Sequence, residues 1–432
     1  MKMANMDDYF DVVIVGTGAA GLYCALNLPA RYRILLLTKQ KADESDSFLA
    51  QGGICMQHGE ADYRPFFDDT MRAGHYENNP ATVDLMIRSS NSIIRDLVRR
   101  GVRFARDDHG ALRFTREGAH SRPRILFHED ITGHEITQTL LNEVLRCENI
   151  ELREHTTLLD FFADASACGG VIAAGPDGEP RAIGAGAVVL ACGGIGGLYK
   201  NSTNFPHITG DAIAMVLRHG VACEHLDYIQ IHPTTLYSHR KGRRFLISES
   251  VRGEGALLLD KNGNRFTNEL QPRDVVSAAI RAQMEKDGTD HVWEDMRPIG
   301  EAAIREHFPN ILERCEEEGY APIHEPIPVV PAQHYFMGGI TADLSSRTAL
   351  PRLYACGETC CNGVHGRNRL ASNSLLESLV FAQRAADDIL YGEPPVFTGD
   401  KPDLAPYREQ EPLFAAYRQE VLTAIERSKN HE

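Results

Sequence analysis

Short apolar runs separated by long polar stretches predict a mixed α/β chain. Residues 11–15 (DVVIV) form a continuous β-branched run that ends at Gly16, which is typical of a strand buried on both faces of a parallel sheet. A helical stretch over about 19–28 stops at Pro29, and RILLLT (33–38) has the pattern of a second buried strand. The start of the chain therefore predicts a βαβ unit.

Two later runs have the same form, an apolar stretch followed by glycine: AGAVVLACGG (185–194) and LYACGE (353–358). We expect both to be strands of the first sheet, separated by long insertions. Residues 226–335 differ in composition from the rest of the chain. They are rich in Arg, Glu, Pro and His, with amphipathic segments at 274–288 and 298–308. This region predicts an inserted α+β domain.

The end of the chain predicts a linker and a single helix. The Pro/Gly-rich stretch GEPPVFTGDKPDLAP (392–406) is typical of a linker. Residues 412–428 can form an amphipathic helix whose apolar face consists of Leu413, Phe414, Tyr417, Val421 and Ile425.

Composition narrows the class of protein. The 432 residues are 43% hydrophobic and carry 45 Lys+Arg against 60 Asp+Glu, a net charge of −15. This is a globular composition, and the acidic balance without a basic block argues against nucleic-acid and anionic-membrane partners. We find neither a signal peptide nor an apolar run long enough to span a membrane, and ten scattered cysteines favour the reducing cytoplasm. An anionic substrate would need a local cationic pocket.

Three of the cysteines cluster as Cys356, Cys360 and Cys361. The C-x3-C-C spacing allows a metal site, but zinc and iron–sulfur sites usually have C-x2-C pairs. Buried thiols that act as small core residues are the simpler interpretation.

The sequence Gly16-Thr17-Gly18-Ala19-Ala20-Gly21 matches the GxGxxG motif between a predicted strand and helix. In that context it predicts dinucleotide binding, with the pyrophosphate at the helix N-terminus; a purely structural glycine turn is the alternative. The second strand ends in Thr38-Lys39, without the acidic residue expected for an NAD ribose.

Two further segments favour FAD. LYACGE places Glu358 after a strand, where a carboxylate can hold ribose or ribityl hydroxyls. Ser372, Asn373 and Ser374 are N-cap residue types at the start of a long amphipathic segment, 368–390. Such a helix N-terminus would stabilise negative charge on a reduced flavin, although an ordinary capped helix has the same spacing.

Ten strings, in the same order over about positions 11–390, resemble the succinate dehydrogenase/fumarate reductase flavoprotein family, and within it the branch that oxidises L-aspartate. They are DVVIVGTGAAGL, SFLAQGGI, FTREGAHSRPRI, TGDAIAM, IQIHPTTL, SESVRGEGA, QPRDVV, AQHYFMGGI, LYACGE and NRLASNSLLE. The resemblance implies a Rossmann-like FAD-binding domain (1–225 and 336–405) interrupted by a mobile capping domain (226–335). A short C-terminal helix (406–432) would stand in place of most of the family's helical C-terminal domain.

The resemblance also implies two sets of site residues. The FAD contacts are Gly16, Thr17, Gly18, Ala19, Ala20, Lys39, Asp46, Ser47, Phe48, Leu49, Ala50, Gln51, Gly52, Gly53, Asp211, Glu358, Ser374 and Leu375. The dicarboxylate site consists of Glu117, His232, Ser248, Glu249, Arg273, His334 and Arg369.

Aspartate oxidation fits these residue types. Arg273 and Arg369 suit two carboxylates because guanidinium donates two parallel hydrogen bonds, with His232, His334 and Ser248 as further donors. Glu117 would repel succinate but favour a substrate with an α-ammonium.

The family's proton-transfer role falls on Arg273, which would need coupling to an acid such as Glu249 or Asp274, since arginine is a poor base in water. Asp46 occupies the position at which the respiratory enzymes attach FAD covalently through His, so we expect non-covalent FAD. Three departures from the family pattern are Arg367 in place of a usually small residue, Ser248 for Thr, and Cys192 for Thr or Ser.

The implied activity is FAD-dependent oxidation of L-aspartate to iminoaspartate, with O2 (giving H2O2) or fumarate as electron acceptor. It would be the first step of NAD biosynthesis through quinolinate, with quinolinate synthase as a functional partner. The alternatives are a soluble fumarate reductase or succinate dehydrogenase flavoprotein and a catalytically idle flavin-binding subunit.

Overall fold

The computed structural model describes residues 8–240, 242–392 and 396–430. The helices are α1 (Ala19–Asn27), α2 (Tyr63–Ala73), α3 (Pro80–Arg100), α4 (Thr132–Val144), α5 (Asp211–Arg218), α6 (Glu249–Gly253), α7 (Arg273–Asp287), α8 (Glu301–His307), α9 (Pro309–Glu317), α10 (Asn373–Tyr391) and α11 (Gln410–Lys429). Within these ranges, no helix combines the length and apolar character needed to cross a membrane.

Strands and helices are mixed along the chain, as expected for the predicted α/β class. The strands are β1 (Tyr9–Val15), β2 (Ile34–Leu37), β3 (Ile54–Cys55), β4 (Phe114–Thr115), β5 (Ile125–Leu126), β6 (Ile150–Arg153), β7 (Thr157–Ala163), β8 (Cys168–Ala174), β9 (Pro180–Leu190), β10 (Cys223–Glu224), β11 (Ile229–Leu236), β12 (Leu257–Leu259), β13 (Val292–Asp295), β14 (Ile327–Phe336), β15 (Gly339–Thr341), β16 (Leu353–Ala355) and β17 (Cys360–Cys361).

The predicted βαβ unit is the centre of the main sheet. β1 pairs in parallel with β2 on one side (Val12 opposite Ile34) and with β9 on the other (Val13 opposite Val188). The four residues of β2 are fully buried, which accounts for their unbroken apolar run. The full order is β6-β2-β1-β9-β8-β7.

β9 has two different neighbours on the edge that faces away from β1. Its first half pairs antiparallel with β8, with Gly184 opposite Gly170, whereas its last three residues pair in parallel with β16, with Val188 opposite Leu353. The carboxyl ends of β1, β9 and β16 therefore meet at one edge of the sheet, where α/β proteins bind ligands.

The segment between β10 and β15 builds a second sheet with its own core. Its strand order is β11-β14-β13-β12, all antiparallel. A separate hydrophobic cluster runs from Leu236 to Val329 and includes Val276 and Ile280 of α7. This agrees with an inserted α+β region, in which the 274–288 segment forms α7 as predicted.

Helix α11 packs, together with α5, on one face of the main sheet. Tyr417, Val421 and Ile425 are buried in the same cluster as α5, and Leu413 and Phe414 contact it as well. Helix α11 thus buries the apolar face that its sequence pattern predicts.

Three element boundaries differ from the sequence-based expectations. Residues 298–308 are not one helix, because a short 3₁₀ turn (Arg297–Ile299) and Gly300 at φ +91° precede α8. Within 353–358 the strand ends at Ala355. The 392–406 linker is anchored by Phe397, which is buried against Phe162; residues 393–395 lie outside the described ranges.

Candidate active site

A cavity of about 330 Å³ opens at the carboxyl ends of β1, β9 and β16, a volume typical of small-molecule sites. One end is lined by the glycine loop after β1, and the other by residues of β11, α6, α7 and β14. The cavity therefore runs from the main sheet to the seam with the inserted region.

The glycine loop has the geometry that the GxGxxG motif predicts. A Cβ on Gly16, whose φ is +114°, would overlap the Ala191 carbonyl, and one on Gly21 would overlap the Gly16 carbonyl. Gly18 precedes the first residue of α1 and lines the cavity, and as the N-cap residue it has no side chain to bond the later N–H groups of the first turn. The loop therefore offers helix N–H groups and close backbone approach to a pyrophosphate.

Lys39 and Asp211, both predicted FAD contacts, are paired with each other. The Lys39 ammonium donates to the Asp211 carboxylate and to the His207 carbonyl (3.1 Å), and it lies 5.1 Å from the ring centre of Phe414 in α11. Lys39 and Asp211 both line the cavity, and the end of β2 has Lys39 where an NAD site would have a carboxylate.

The segment from Ser45 to Gly53 follows one wall of the cavity. Asp46 accepts a hydrogen bond from the Phe205 backbone N–H (2.9 Å), while its other oxygen is buried without a partner in the described part of the chain. Burial raises the pKa of Asp46 to about 7, and the charge of Arg243 opposes that rise. A carboxyl at this position cannot form the histidyl–flavin bond of the respiratory enzymes, consistent with non-covalent FAD.

The start of α10 also faces the cavity. The helix begins at Asn373, and Ser372 precedes it at φ +61°. Ser372 occupies the N-cap position, but its side chain does not bond the N–H groups of the first turn, so the predicted capping hydrogen bond is absent. Ser374 and Leu375 line the cavity in the first turn. An uncapped helix N-terminus in a ligand cavity suits the negative charge of a reduced flavin.

Glu358 completes the FAD fit. Its carboxylate accepts from the Phe336 backbone N–H (3.0 Å), and a Cβ on Gly194 would overlap it. Burial raises the pKa of Glu358 well above its ordinary value, and nearby Asp46 adds to the rise. Ribityl or ribose hydroxyls are suitable donors to such a carboxylate. The residues present therefore fit FAD.

At the end of the cavity next to the inserted region, Gln230 links the Arg273 side chain to the Arg369 backbone. The Arg273 guanidinium donates to Gln230 Oε1 (2.8 Å), and Gln230 Nε2 donates to the Arg369 carbonyl (2.8 Å). Both arginines are nearly buried and line the cavity. Burial and the charge of Arg273 lower the pKa of Arg369 to about 10. Arg369 Nε is buried without a partner in the described residues, so this cation suits an anionic ligand.

Glu249 is the carboxylate partner of Arg273. Arg273 Nε donates to Glu249 Oε2 at 2.5 Å, and Arg252 lies 3.9 Å from the same oxygen. Burial pushes the pKa of Glu249 upward, but the two arginines outweigh burial and lower it overall. An ionised acid thus contacts the arginine to which the family resemblance assigns proton transfer.

His232 and His334 form an edge-to-face pair with ring centres 5.1 Å apart. His232 Nε2 is buried without a partner in the described residues, and Nδ1 lies near both the Thr234 carbonyl (2.9 Å) and the Thr234 N–H (3.2 Å). Burial, then the Arg273 charge, lowers the pKa of both imidazoles well below the usual value. Both rings are therefore neutral, and a carboxylate in the cavity selects the tautomer of His232 with a proton on Nε2.

Glu117 lies in the same cavity, buried and held by two hydroxyls. Ser250 donates to Oε1 (2.7 Å) and Ser372 to Oε2 (2.6 Å). Burial and the charge of Glu249 raise the pKa of Glu117, and the two hydroxyls oppose that rise. A Cβ on Gly52 would overlap the carboxylate, so the glycine of the AQGG segment makes room for it.

Ser248 lines the cavity and also caps α6, because its hydroxyl accepts the Ser250 N–H at 3.2 Å. The Ser248 hydroxyl also donates to Ser250 Oγ (3.2 Å), and rotation of its O–H bond would direct that proton to a ligand instead. Among the predicted site residues, Ala19 alone is not part of the lining; its N–H donates to Ser47 Oγ (3.0 Å).

Sequence reasoning missed four residues that connect the predicted ones, Gln230, Ser250, Arg252 and Thr203, and it gave Ser372 a capping role instead of its contact with Glu117. Thr203 Oγ1 lies 2.8 Å from His334 Nδ1. Gln230 and Arg252 fall inside two of the matched strings, IQIHPTTL and SESVRGEGA, and a polar residue in an otherwise apolar strand pattern is the signal that could have identified Gln230.

Two features singled out in the sequence, Arg367 and the cysteine cluster, are not part of the predicted site. Arg367 does not line the cavity; it is 3.8 Å from Glu77 and its guanidinium faces the Tyr228 ring at 5.3 Å. Cys356 and Cys360 are buried, and burial raises their thiol pKa values well above the usual range. In the described ranges no group of three metal-binding side chains is found.

Comparison with known sequences gives consistent results. A family profile described as "FAD binding domain" matches residues 11–375. L-aspartate oxidase of Clostridium perfringens is 47% identical over 380 residues, covering 88% of this chain and 86% of the relative. L-aspartate oxidase of Nostoc sp. is 44% identical over 442 residues, covering 98% of this chain and 76% of the relative.

Solved structures share the fold. A quinol–fumarate reductase structure aligns with a TM-score of 0.85 and 32% identity, covering 95% of this chain and 75% of that chain. Mycobacterium smegmatis Sdh1 aligns with a TM-score of 0.76 and 30% identity, covering 90% of this chain and 70% of that chain.

Proposed function

The chain belongs to the L-aspartate oxidases of the succinate dehydrogenase/fumarate reductase flavoprotein family, and from its cavity we infer how it oxidises L-aspartate to iminoaspartate. Bound FAD supplies the acceptor for the two electrons and the hydrogen that leave the substrate Cα. The residues of the chain bind the substrate, orient it and move its protons. We propose that FAD is held by the glycine loop, the Ser45–Gly53 wall, Glu358 and the start of α10.

The observation that carries the substrate assignment is a buried acid beside two buried cations. Arg273 and Arg369, linked by Gln230, suit the two carboxylates of the substrate. Glu117, fixed by two hydroxyl donors, suits its α-ammonium. A dicarboxylate without an ammonium would leave Glu117 as an unpaired charge next to its own carboxylate, which disfavours succinate.

We propose that His232, His334 and Ser248 donate to the carboxylate that the arginines leave incompletely bonded. The two imidazoles are neutral, so they contribute hydrogen bonds rather than charge. The ammonium must lose protons before the imine forms. Arg273, with Glu249 against its Nε, is the proposed route by which such a proton leaves the cavity.

The finer biological assignments are also proposals. O2 and fumarate are the two candidate acceptors, and fumarate would fit the dicarboxylate groups just described. We propose that the product feeds quinolinate synthase, as the first step of NAD biosynthesis. The ten free cysteines favour a cytoplasmic location, and the inserted core supports capping-domain boundaries at about 226 and 335.

Anaerobic flavin bleaching tests this function. Purified protein is reconstituted with FAD, acid precipitation is used to check that the flavin is released, and bleaching is followed with L-aspartate and with succinate. We expect bleaching by L-aspartate. Bleaching by succinate alone would instead favour a succinate dehydrogenase-type flavoprotein, and no bleaching with either substrate would favour an idle flavin-binding subunit.

A further inference from the structure

A second cavity, of about 290 Å³, adjoins the flavin cavity at Glu117, which lines both. We call it the outer cavity. One wall is the loop 116–121, a second is Arg72 at the end of α2, and the third consists of Gly253 and Leu270 of the inserted region. The outer cavity therefore lies between the FAD-binding region and the inserted region, as do the residues proposed to bind the substrate.

The lining of the outer cavity contains two arginines, Arg72 and Arg116, in a protein of net charge −15. Arg116 is exposed, and its guanidinium has no ion pair or hydrogen bond within residues 8–240, 242–392 and 396–430. Arg72 pairs with Asp69, which buried Arg124 also contacts at 2.8 Å, and Arg124 pairs in turn with Asp62 (3.0 Å), so the charges of these four residues balance. His120, also in the lining, has its pKa lowered to about 4 by burial and by Arg124, so it is neutral.

Glu117 is the acidic residue of this lining, and its carboxylate is turned toward the Ser250 and Ser372 hydroxyls. The barrier between the two cavities is thin. Glu117 is joined to the inserted region by one side-chain hydrogen bond, from Ser250, and next to it the Gly118 backbone packs against Glu249. Separation of the loop 116–121 from α6 would join the cavities.

We propose that the outer cavity is an entrance that collects the anionic substrate, with Arg116 and Arg72 attracting its carboxylates before they reach Arg273 and Arg369. This inference rests on the proposed dicarboxylate function. Cations at a low-dielectric opening concentrate an anion locally and raise its association rate, most strongly at low ionic strength. The entrance thus offsets the repulsion that an acidic protein exerts on its own substrate.

Charge variants of Arg116 test the entrance. Because Arg116 does not line the flavin cavity, Arg116→Glu should lower kcat/KM for L-aspartate about fivefold to tenfold at low salt, with kcat within about twofold. Fumarate carries one more net negative charge than L-aspartate, so its second-order rate of reoxidising the reduced flavin should fall further. Arg116→Lys keeps the charge and should keep both rates.

Arg95→Glu is the matched control, because it makes the same charge change at an exposed residue of α3 outside both cavities. The Arg116→Glu loss should shrink as the ionic strength rises to about 0.15 M, where screening is effective over about 8 Å. The entrance proposal would be contradicted if Arg116→Glu and Arg95→Glu lowered kcat/KM equally, or if the loss in Arg116→Glu did not depend on the salt concentration. Failure of the function itself would show separately, as wild-type protein that L-aspartate does not bleach.

Discussion

The hydroxyl of Ser372 donates to Glu117 Oε2 at 2.6 Å instead of capping the helix that it precedes. A serine at this position would ordinarily bond the N–H groups of the first turn. Here the left-handed backbone of Ser372 turns its side chain toward the acid, so the first turn of α10 and the carboxylate of Glu117 both remain directed into the cavity.

Removal of this hydroxyl should shift a pH profile. The hydrogen bond favours ionised Glu117, so its loss in Ser372→Ala should raise the Glu117 pKa. A charge-assisted bond is worth about 1.5–3 kcal/mol, so the acidic limb of kcat/KM for L-aspartate should move up by about one to two pH units. Ser372→Gly also loses the hydroxyl but relieves the backbone, so it should show the same shift with a higher Tm than Ser372→Ala. A profile that does not move in either variant would contradict the contact.

Neutralisation of Glu117 should discriminate between ligands. Glu117→Gln keeps the shape but removes the charge proposed to bind the substrate ammonium. We expect kcat/KM for L-aspartate to fall about thirtyfold to a hundredfold, as for loss of a buried charge partner worth about 2–3 kcal/mol. Succinate, measured as a competitive inhibitor, should bind as well or better. An equal loss for both ligands would refute the ammonium role.

Gln230 should matter to the rate because it fixes two arginines relative to each other. Gln230→Leu removes the acceptor for Arg273 and the donor to the Arg369 carbonyl, and it leaves a buried cation with one partner fewer. We expect kcat to fall about tenfold, on the order of one lost charge-assisted bond. Steady-state kinetics at saturating L-aspartate measures this, and unchanged flavin absorbance serves as the check on folding.

The packing of α11 predicts a stability difference. Tyr417 is fully buried, and its hydroxyl donates to the Leu159 carbonyl at 2.7 Å. Tyr417→Phe should lower the free energy of unfolding by about 1 kcal/mol, and Tyr417→Ala by about 3–5 kcal/mol. Urea denaturation followed by tyrosine and flavin fluorescence measures both. Equal stability of the Ala variant and wild type would mean that α11 does not contribute to the folded core.

Glu294 predicts how stability depends on pH. It is fully buried, and neither carboxylate oxygen has a partner in the described residues; burial raises its pKa to about 8, with Arg252 opposing and Glu269 adding to the rise. Between about pH 4.5 and 8 the folded state keeps the Glu294 proton, which the unfolded state has already released. The free energy of unfolding therefore falls as the pH rises through that window. Glu294→Gln should leave the Tm nearly unchanged at pH 5 and raise it at pH 9. A Tm difference that is the same at both pH values would contradict the raised pKa.

Much of the fold is readable from local pattern. The βαβ unit, α7, α10 and α11 have unambiguous periodicity because each buries one face or a complete run. The full extent of strand β9 is harder to predict, since its first residues, Pro180–Ile183, are partly polar and pair with β8 in an antiparallel hairpin. That pairing depends on contacts between strands, which an apolar count along one strand cannot reveal.

The site divides in the same way. The glycine loop is predictable because close backbone approach permits only glycine at Gly16 and Gly21. The arginines and Glu117 became assignable only through the family resemblance, since surface ion pairs have the same composition. Ser372 shows the limit of local rules, because its hydroxyl is used by a residue 255 positions earlier in the chain.

The parallel pairing of β9 with β16 has a consequence for synthesis. Val188 meets Leu353 only after the whole inserted region has left the ribosome, and the flavin wall formed by Glu358 and α10 comes later still. Closure over such a sequence separation is slow compared with local folding. Nascent chains should therefore remain unable to load FAD until translation has passed α10, with the inserted region free to fold first around its own core.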